Sequence, residues 1–142
     1  MKSLLTSIFL IALLISCSQD NVGIGTLVDT NEDLMQILKE VEAGDVITLK
    51  NGLWKDVEIK LYGEGTEKKP ITLKAETPGQ VFLEGTSSLK LGGSYLIVDG
   101  LTFRNGFSEK AVIRYKVNDE KIAYHSTAVS YTHLTLPTIC SV

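Results

Sequence analysis

Metal and redox chemistry have little to work with in this chain, which holds two cysteines and two histidines in 142 residues. No CxxC pair or Cys/His cluster occurs, and that excludes a zinc site of ordinary spacing. Cys17 and Cys140 both lie in segments that the folded part does not need, so a structural disulfide is not expected. A basic excess is also missing. The formal net charge of −3 argues against a general nucleic-acid binder, although a basic cleft can sit on an acidic protein. Long apolar runs are scarce. The stretch from Leu4 to Ile15 is too short to span a bilayer comfortably. A second amphipathic helix is lacking too, which argues against a doubly wound α/β sheet.

What remains has the composition of a globular protein, with 44% hydrophobic and 22% charged residues. The length suits one ordinary domain at most.

The N-terminus reads as an address. Lys2 precedes the apolar run, which fits a secretory h-region. The run ends Leu14-Ile15-Ser16-Cys17, which resembles a bacterial lipobox in which the Cys17 thiol takes the lipid. The plain alternative is a signal peptide with an incidental cysteine. Residues 1–17 are therefore expected to be leader and lipobox, and 18–26 a polar tether. A lipid on Cys17 implies a bacterial extracytoplasmic protein held at a membrane through buried acyl chains.

Residues Thr30 to Gly44 read as a helix. Thr30 suits the N-cap and Asp33 the capping-box acid; Glu32 and Asp33 suit the positive end of the dipole. Leu34, Ile37, Leu38 and Val41 form one apolar stripe, and Gly44 stands as a C′ stop. The period then changes to two. Asp45–Gly52, Asp56–Gly63, Pro70–Glu76, Gln80–Gly85, Ser88–Gly93, Tyr95–Gly106 and Ala111–Lys116 are short alternating segments bounded by turn residues. Asp99-Gly100 breaks Tyr95–Gly106 into two strands at a corner.

This pattern leaves an antiparallel sandwich or barrel and a parallel β-helix both open. The shortness of the strands, the Asp99-Gly100 corner and a helix placed to cover an open apolar end favour the β-helix.

The order of the segments carries a resemblance. The cap helix is followed by "GDVITLKNG" (Gly44–Gly52), "KPITLKAETPG" (Lys69–Gly79), "YLIVDGLTFRNG" (Tyr95–Gly106) and "VNDEKIAYHST" (Val117–Thr127). This set resembles the N-terminal part of the chondroitinase B/alginate lyase family, polysaccharide lyase family six, over about Leu27 to Thr127. The resemblance implies an all-β, right-handed parallel β-helix, here its first rungs, with an N-terminal capping α-helix. It implies β-elimination on an anionic, uronate-containing polysaccharide such as alginate or dermatan/chondroitin sulfate. It also implies Ca²⁺ on oxygen ligands, stabilising charge at the substrate carboxylate, with a Lys base and an assisting Arg. Those residues are expected on rungs beyond Thr127, so no catalytic or Ca²⁺ role is carried onto this chain. A β-helix glycoside hydrolase of the polygalacturonase type and a non-catalytic glycan-binding β-helix remain alternatives.

Within the matched region Arg104, Arg114 and Lys116 are candidates to face a polyanionic chain, Arg bidentately, against the blander reading of a solvated strand face. Trp54 is read as covering the junction between cap and first rung rather than as a sugar platform. His125 is read as a structural residue, and Asp99 and Asn105 as corner residues.

The tail departs from the pattern. Val129 to Thr138 spell, without a gap, the translation of a transposase-end sequencing adaptor. Residues 128–142 are therefore expected to be read-through, with His133 and Cys140 carrying no function. A stack cut there is expected to be poorly soluble, because unpaired edges invite aggregation.

Overall fold

The structure is a computed structural model and describes residues 25–106 and 112–129. Cys17, His133, Cys140, and with them the leader, most of the tether and most of the tail, lie outside the described residues.

Strand β1 (Gly25–Val28) leads into helix α1 (Asn31–Ile37). The cap forms as the sequence predicts: Thr30 Oγ1 accepts from the Asp33 N–H at 3.1 Å. The Asp33 carboxylate accepts the Thr30 hydroxyl at 2.7 Å instead of reaching the cap backbone. Such a cap is worth about 1 kcal/mol. The helix is shorter than its apolar stripe suggests. From Lys39 the amides turn back three residues, to the Gln36 and Ile37 carbonyls, so the α pattern closes into a tight turn. Asp45 then holds the Glu42 N–H at 2.8 Å, and Gly44 takes φ +99° in the turn that feeds the sheet rather than at a helix end. The stripe nevertheless does its work: Leu34 is fully buried, and Ile37, Leu38 and Val41 lie against the core.

Eleven strands follow: β2 (Val46–Leu49), β3 (Gly52–Lys55), β4 (Glu58–Glu64), β5 (Ile71–Ala75), β6 (Val81–Gly85), β7 (Ser88–Ser94), β8 (Leu96–Asp99), β9 (Leu101–Gly106), β10 (Ile113–Arg114), β11 (Ala123–Tyr124) and β12 (Thr127–Val129). Every named pair is parallel, and each joins strands from successive turns of the chain. A first sheet runs β1-β2-β5-β8-β12, a second β3-β6-β9, and a third joins β4 to β7 and β7 to both β10 and β11. The chain therefore visits three faces in rotation, and the result is a parallel β-helix of about three turns. Asp99-Gly100 forms the expected corner between the first and second faces.

The core is a set of rows. On the first face Ile47, Leu73, Val98 and Ala128 stand in register; on the second Trp54, Leu83 and Phe103; on the third Ile59, Leu89 and Ile113. Period-two alternation puts these side chains inside and their neighbours outside. Val41 reaches from the turn behind the helix to the first coil, where it lies beside Gly63. The helix and the turn behind it thus cover one apolar end, as a cap must.

Four strands, β1, β3, β11 and β12, are not expected from the sequence, β11 and β12 because they last only two and three residues. β1 has one well-buried residue, Val28, and β3 has one, Trp54, so neither shows alternation. Trp54 is 5% exposed and sits within the core rows, its indole N–H donating to the Lys50 carbonyl at 3.0 Å. It neither offers a face to sugar nor merely covers the cap junction. β12 pairs with β8 through backbone groups, which any side chains permit, so the ladder does not bear on the origin of Ala128 and Val129. Among the described residues no helix is long and apolar enough to cross a membrane.

Candidate functional site

The three candidate cations are not brought together. Arg104 lies at the end of β9 on the second face. Its Nε donates to Glu84 Oε1 at 2.7 Å and its guanidinium lies 3.6 Å from the Phe82 ring centre. Both contacts fix it locally. Asn105, beside it, donates to the same carboxylate at 3.2 Å, with φ +48°. Arg114 lies on the third face, in register with Lys90. Lys116 lies outside the sheet and pairs with Asp119, itself fully exposed on the surface.

The third face holds a row that the candidate list does not include. Lys60, Lys90 and Arg114 stand in register on β4, β7 and β10; Lys60 and Lys90 each alternate with buried neighbours, whereas Arg114 lies between a half-buried Ile113 and an exposed Tyr115. One carboxylate serves the row: Glu58 takes Lys60 Nζ at 2.6 Å and also contacts Lys90 Nζ. Hydrogen bonds from Lys60 first, and then Lys90, hold the Glu58 carboxyl below the ordinary range. Arg114 has no ion pair among the described residues.

Beside this row the third coil leaves its sheet. β10 is only two residues long because the chain departs at Tyr115 and returns at Ala123, whose N–H donates to the Tyr115 carbonyl at 3.0 Å. Lys116 and Ile122 form an antiparallel bridge, and Asn118 Oδ1 accepts from the amides of Glu120 and Lys121 to close the tip. This excursion crosses the sheet at Gly92, where a Cβ would meet the Lys121 carbonyl at 2.8 Å and Val117 Cγ2 at 3.0 Å. Lys121 Nζ lies 3.9 Å from the centre of the Tyr62 ring. The row of cations therefore has a wall on one side.

His125 occupies the corner between the third and first faces. It is exposed, and its ring stacks on Tyr95 at 5.2 Å and 13°, with both residues in the left-handed region at φ +47° and +50°. Its role is a corner stack rather than a buried, hydrogen-bonded histidine.

Sequence reasoning missed Lys60 and Lys90. The signal was present: Ile59-Lys60-Leu61, Leu89-Lys90-Leu91 and Ile113-Arg114-Tyr115 repeat one pattern of a cation between apolar or aromatic neighbours. Only the coil register shows that the three repeats stack. Among the described residues no three His, Cys, Asp or Glu side chains converge.

A parallel coil with a helical cap defines a β-helix protein. The family model for chondroitinase B matches residues 28–135, and the chain belongs to that family, polysaccharide lyase family six. Solved structures agree. The alginate lyase AlyGC of that family is 45% identical, with a TM-score of 0.70, covering 73% of this chain and 14% of AlyGC. The polysaccharide lyase Pedsa3628 from Pseudopedobacter saltans is 40% identical, with a TM-score of 0.60, over 63% of this chain and 21% of that one. A mannuronic acid specific family-six lyase from human gut microbiota is 24% identical, with a TM-score of 0.65, and shows the shared fold over 73% of this chain and 25% of its own. The chain thus spans a quarter or less of these structures. A comparison with curated proteins finds no match.

Proposed function

We propose that this chain is the N-terminal part of a lyase that cleaves a uronate-containing polysaccharide by β-elimination, and that the piece alone is inactive. Membership of the family carries the reading, together with parallel pairing that links the cap to the third turn. Alginate is the leading substrate, because the 45% identical structure is named as an alginate lyase; dermatan or chondroitin sulfate is the other. In the reaction the C5 proton of a uronate leaves to a base, the C4–O bond breaks, a C4=C5 double bond forms, and the departing oxygen takes up a proton. The Lys, the Arg and the Ca²⁺ ligands of that chemistry are proposed to lie on rungs after Thr127. Lipidation at Cys17, a place on the bacterial cell envelope, and the read-through origin of residues 128–142 belong to the same proposal.

The test is the parent protein, read from the genomic frame downstream of Thr127. Expressed whole and given alginate or dermatan sulfate, it is expected to release sugar ends that absorb as unsaturated uronates, in a Ca²⁺-dependent way. New reducing ends without unsaturation would show hydrolysis instead, and would move the protein to the polygalacturonase type of β-helix. Binding with no cleavage would leave a glycan-binding module.

A further inference from the structure

We infer that the outer face of the third sheet is a binding track for an anionic polysaccharide, laid along the coil axis over Lys60, Lys90 and Arg114 and walled by the excursion 115–122. The inference rests on the functional reading above for its ligand class, but not for its location.

The argument starts from a cost. Like charges directly opposite each other on neighbouring strands destabilise a sheet. The other two faces avoid this. On the first face Lys74 stands in register with Asp99, and on the second Lys55 with Glu84. On the third face three cations stand in one row, with the Glu58 carboxylate reaching the first two and, among the described residues, no carboxylate pairing with Arg114. Neutral residues at these positions, of which Lys60 is exposed and Lys90 and Arg114 half-buried, would serve the fold at least as well. A row of this kind is stabilised by an anionic partner.

The spacing selects the partner. Adjacent strands are about 4.8 Å apart, a stride comparable to the length of one sugar ring. A polymer with a carboxylate on every sugar can therefore meet a cation on every strand. Arg114, at the far end of the row, offers a planar fork that takes a carboxylate bidentately. The excursion gives the track a side: its chain passes over Gly92, where only glycine leaves room. Tyr124, exposed on β11 past the excursion, adds an aromatic surface further along the same sheet.

Affinity electrophoresis of the full chain tests this, in native gels cast with alginate and, for comparison, with neutral dextran. The expected result is retardation by alginate alone. The triple variant Lys60→Gln, Lys90→Gln, Arg114→Gln should weaken the alginate Kd at least tenfold. A triple with the same charge change on other parts of the coil, Lys50→Gln, Lys55→Gln, Lys74→Gln, should weaken it less than twofold. Glu58→Gln should tighten binding about threefold by releasing Lys60 and Lys90, a gain that misfolding cannot imitate. No retardation of the unaltered chain overturns the inference. So does an unchanged Kd in the first triple, an equal loss in the second, or no gain in Glu58→Gln. In the parent protein the two readings separate. Unsaturated product with binding indifferent to the first triple removes the track and keeps the lyase. Row-dependent binding without unsaturated product keeps the track and removes the lyase.

Discussion

Gly93 and Gly63 stand in register on β7 and β4, and a Cβ at Gly93 would lie 2.0 Å from the Gly63 carbonyl oxygen. The obstacle is backbone, which cannot swing aside, and Gly93 also has φ +107°. Gly93→Ala therefore carries both a clash and a left-handed strain, and is expected to cost more than about 4 kcal/mol, beyond the range of ordinary point substitutions. Gly79 has φ +80° but open space around its Cβ position. Gly79→Ala is expected to cost only the strain, about 1–2 kcal/mol. Urea unfolding of the two variants side by side measures the difference; equal losses would contradict the packing account.

Trp54 is a core residue in register with Leu83, which in turn meets Phe103. Trp54→Ala is expected to destabilise by about 3–5 kcal/mol. Trp54→Phe keeps most of the volume but loses the bond to the Lys50 carbonyl, at a net cost of about 1 kcal/mol for that bond. Alginate retardation of the folded Trp54→Phe chain should equal that of the parent sequence. A selective loss of binding would restore the sugar-platform reading.

Ser87 is 4% exposed and holds the bend between the second and third faces. Its Oγ accepts the Val57 N–H at 3.0 Å and donates to the Glu84 carbonyl at 2.6 Å. Ser87→Ala leaves a buried amide without its partner, and such a group costs about 1–3 kcal/mol. Denaturant melts should show that loss, and hydrogen exchange should show the Val57 amide exposed ahead of the β7 amides.

Two carboxyls on these corners titrate low. In Asp56 the cause is first the Thr86 N–H and then the Thr86 hydroxyl, at 2.9 and 3.1 Å; in Glu58 it is Lys60, then Lys90. A carboxyl whose folded pKa is depressed adds stability above its unfolded pKa, and that contribution disappears as the pH falls through the folded value. The melting temperature should therefore be flat near neutrality and decline in acid, beginning at the ordinary carboxylate range. Asp56→Asn and Glu58→Gln should each make the decline shallower. An acid limb unchanged in both variants would assign it to other groups.

The strands that were easy to read are those with several inward residues. Ile47 and Leu49, Ile59 and Leu61, or Ile71 and Leu73 display period two openly, because both faces of the strand are sampled. β3 buries Trp54 alone, so no alternation accumulates there, and the segment Ala111–Lys116, which reads as a strand, pairs only at Ile113–Arg114 before the excursion begins. The helix misled in the other direction. Leu38 and Val41 keep a helical spacing because they pack on the same core, not because the chain stays helical between them.

The row on the third face shows the same limit. Each of Lys60, Lys90 and Arg114 is, in its own segment, an unremarkable cation on the solvent side of a strand. What joins them is the length of the coil, which returns the chain to the same face at Lys90 and again at Arg114.

The amino-acid order by itself determined the local chemistry: where the chain alternates, where it turns, where the cap begins, and which side of each strand is apolar. These follow from bond geometry and side-chain polarity within a few residues. The tertiary structure alone decided which strands became neighbours, that Trp54 went inside, that Arg104 met Glu84, and that three cations shared a row. Those outcomes depend on register between segments distant in the chain, and register is set by the packing of the whole coil at once.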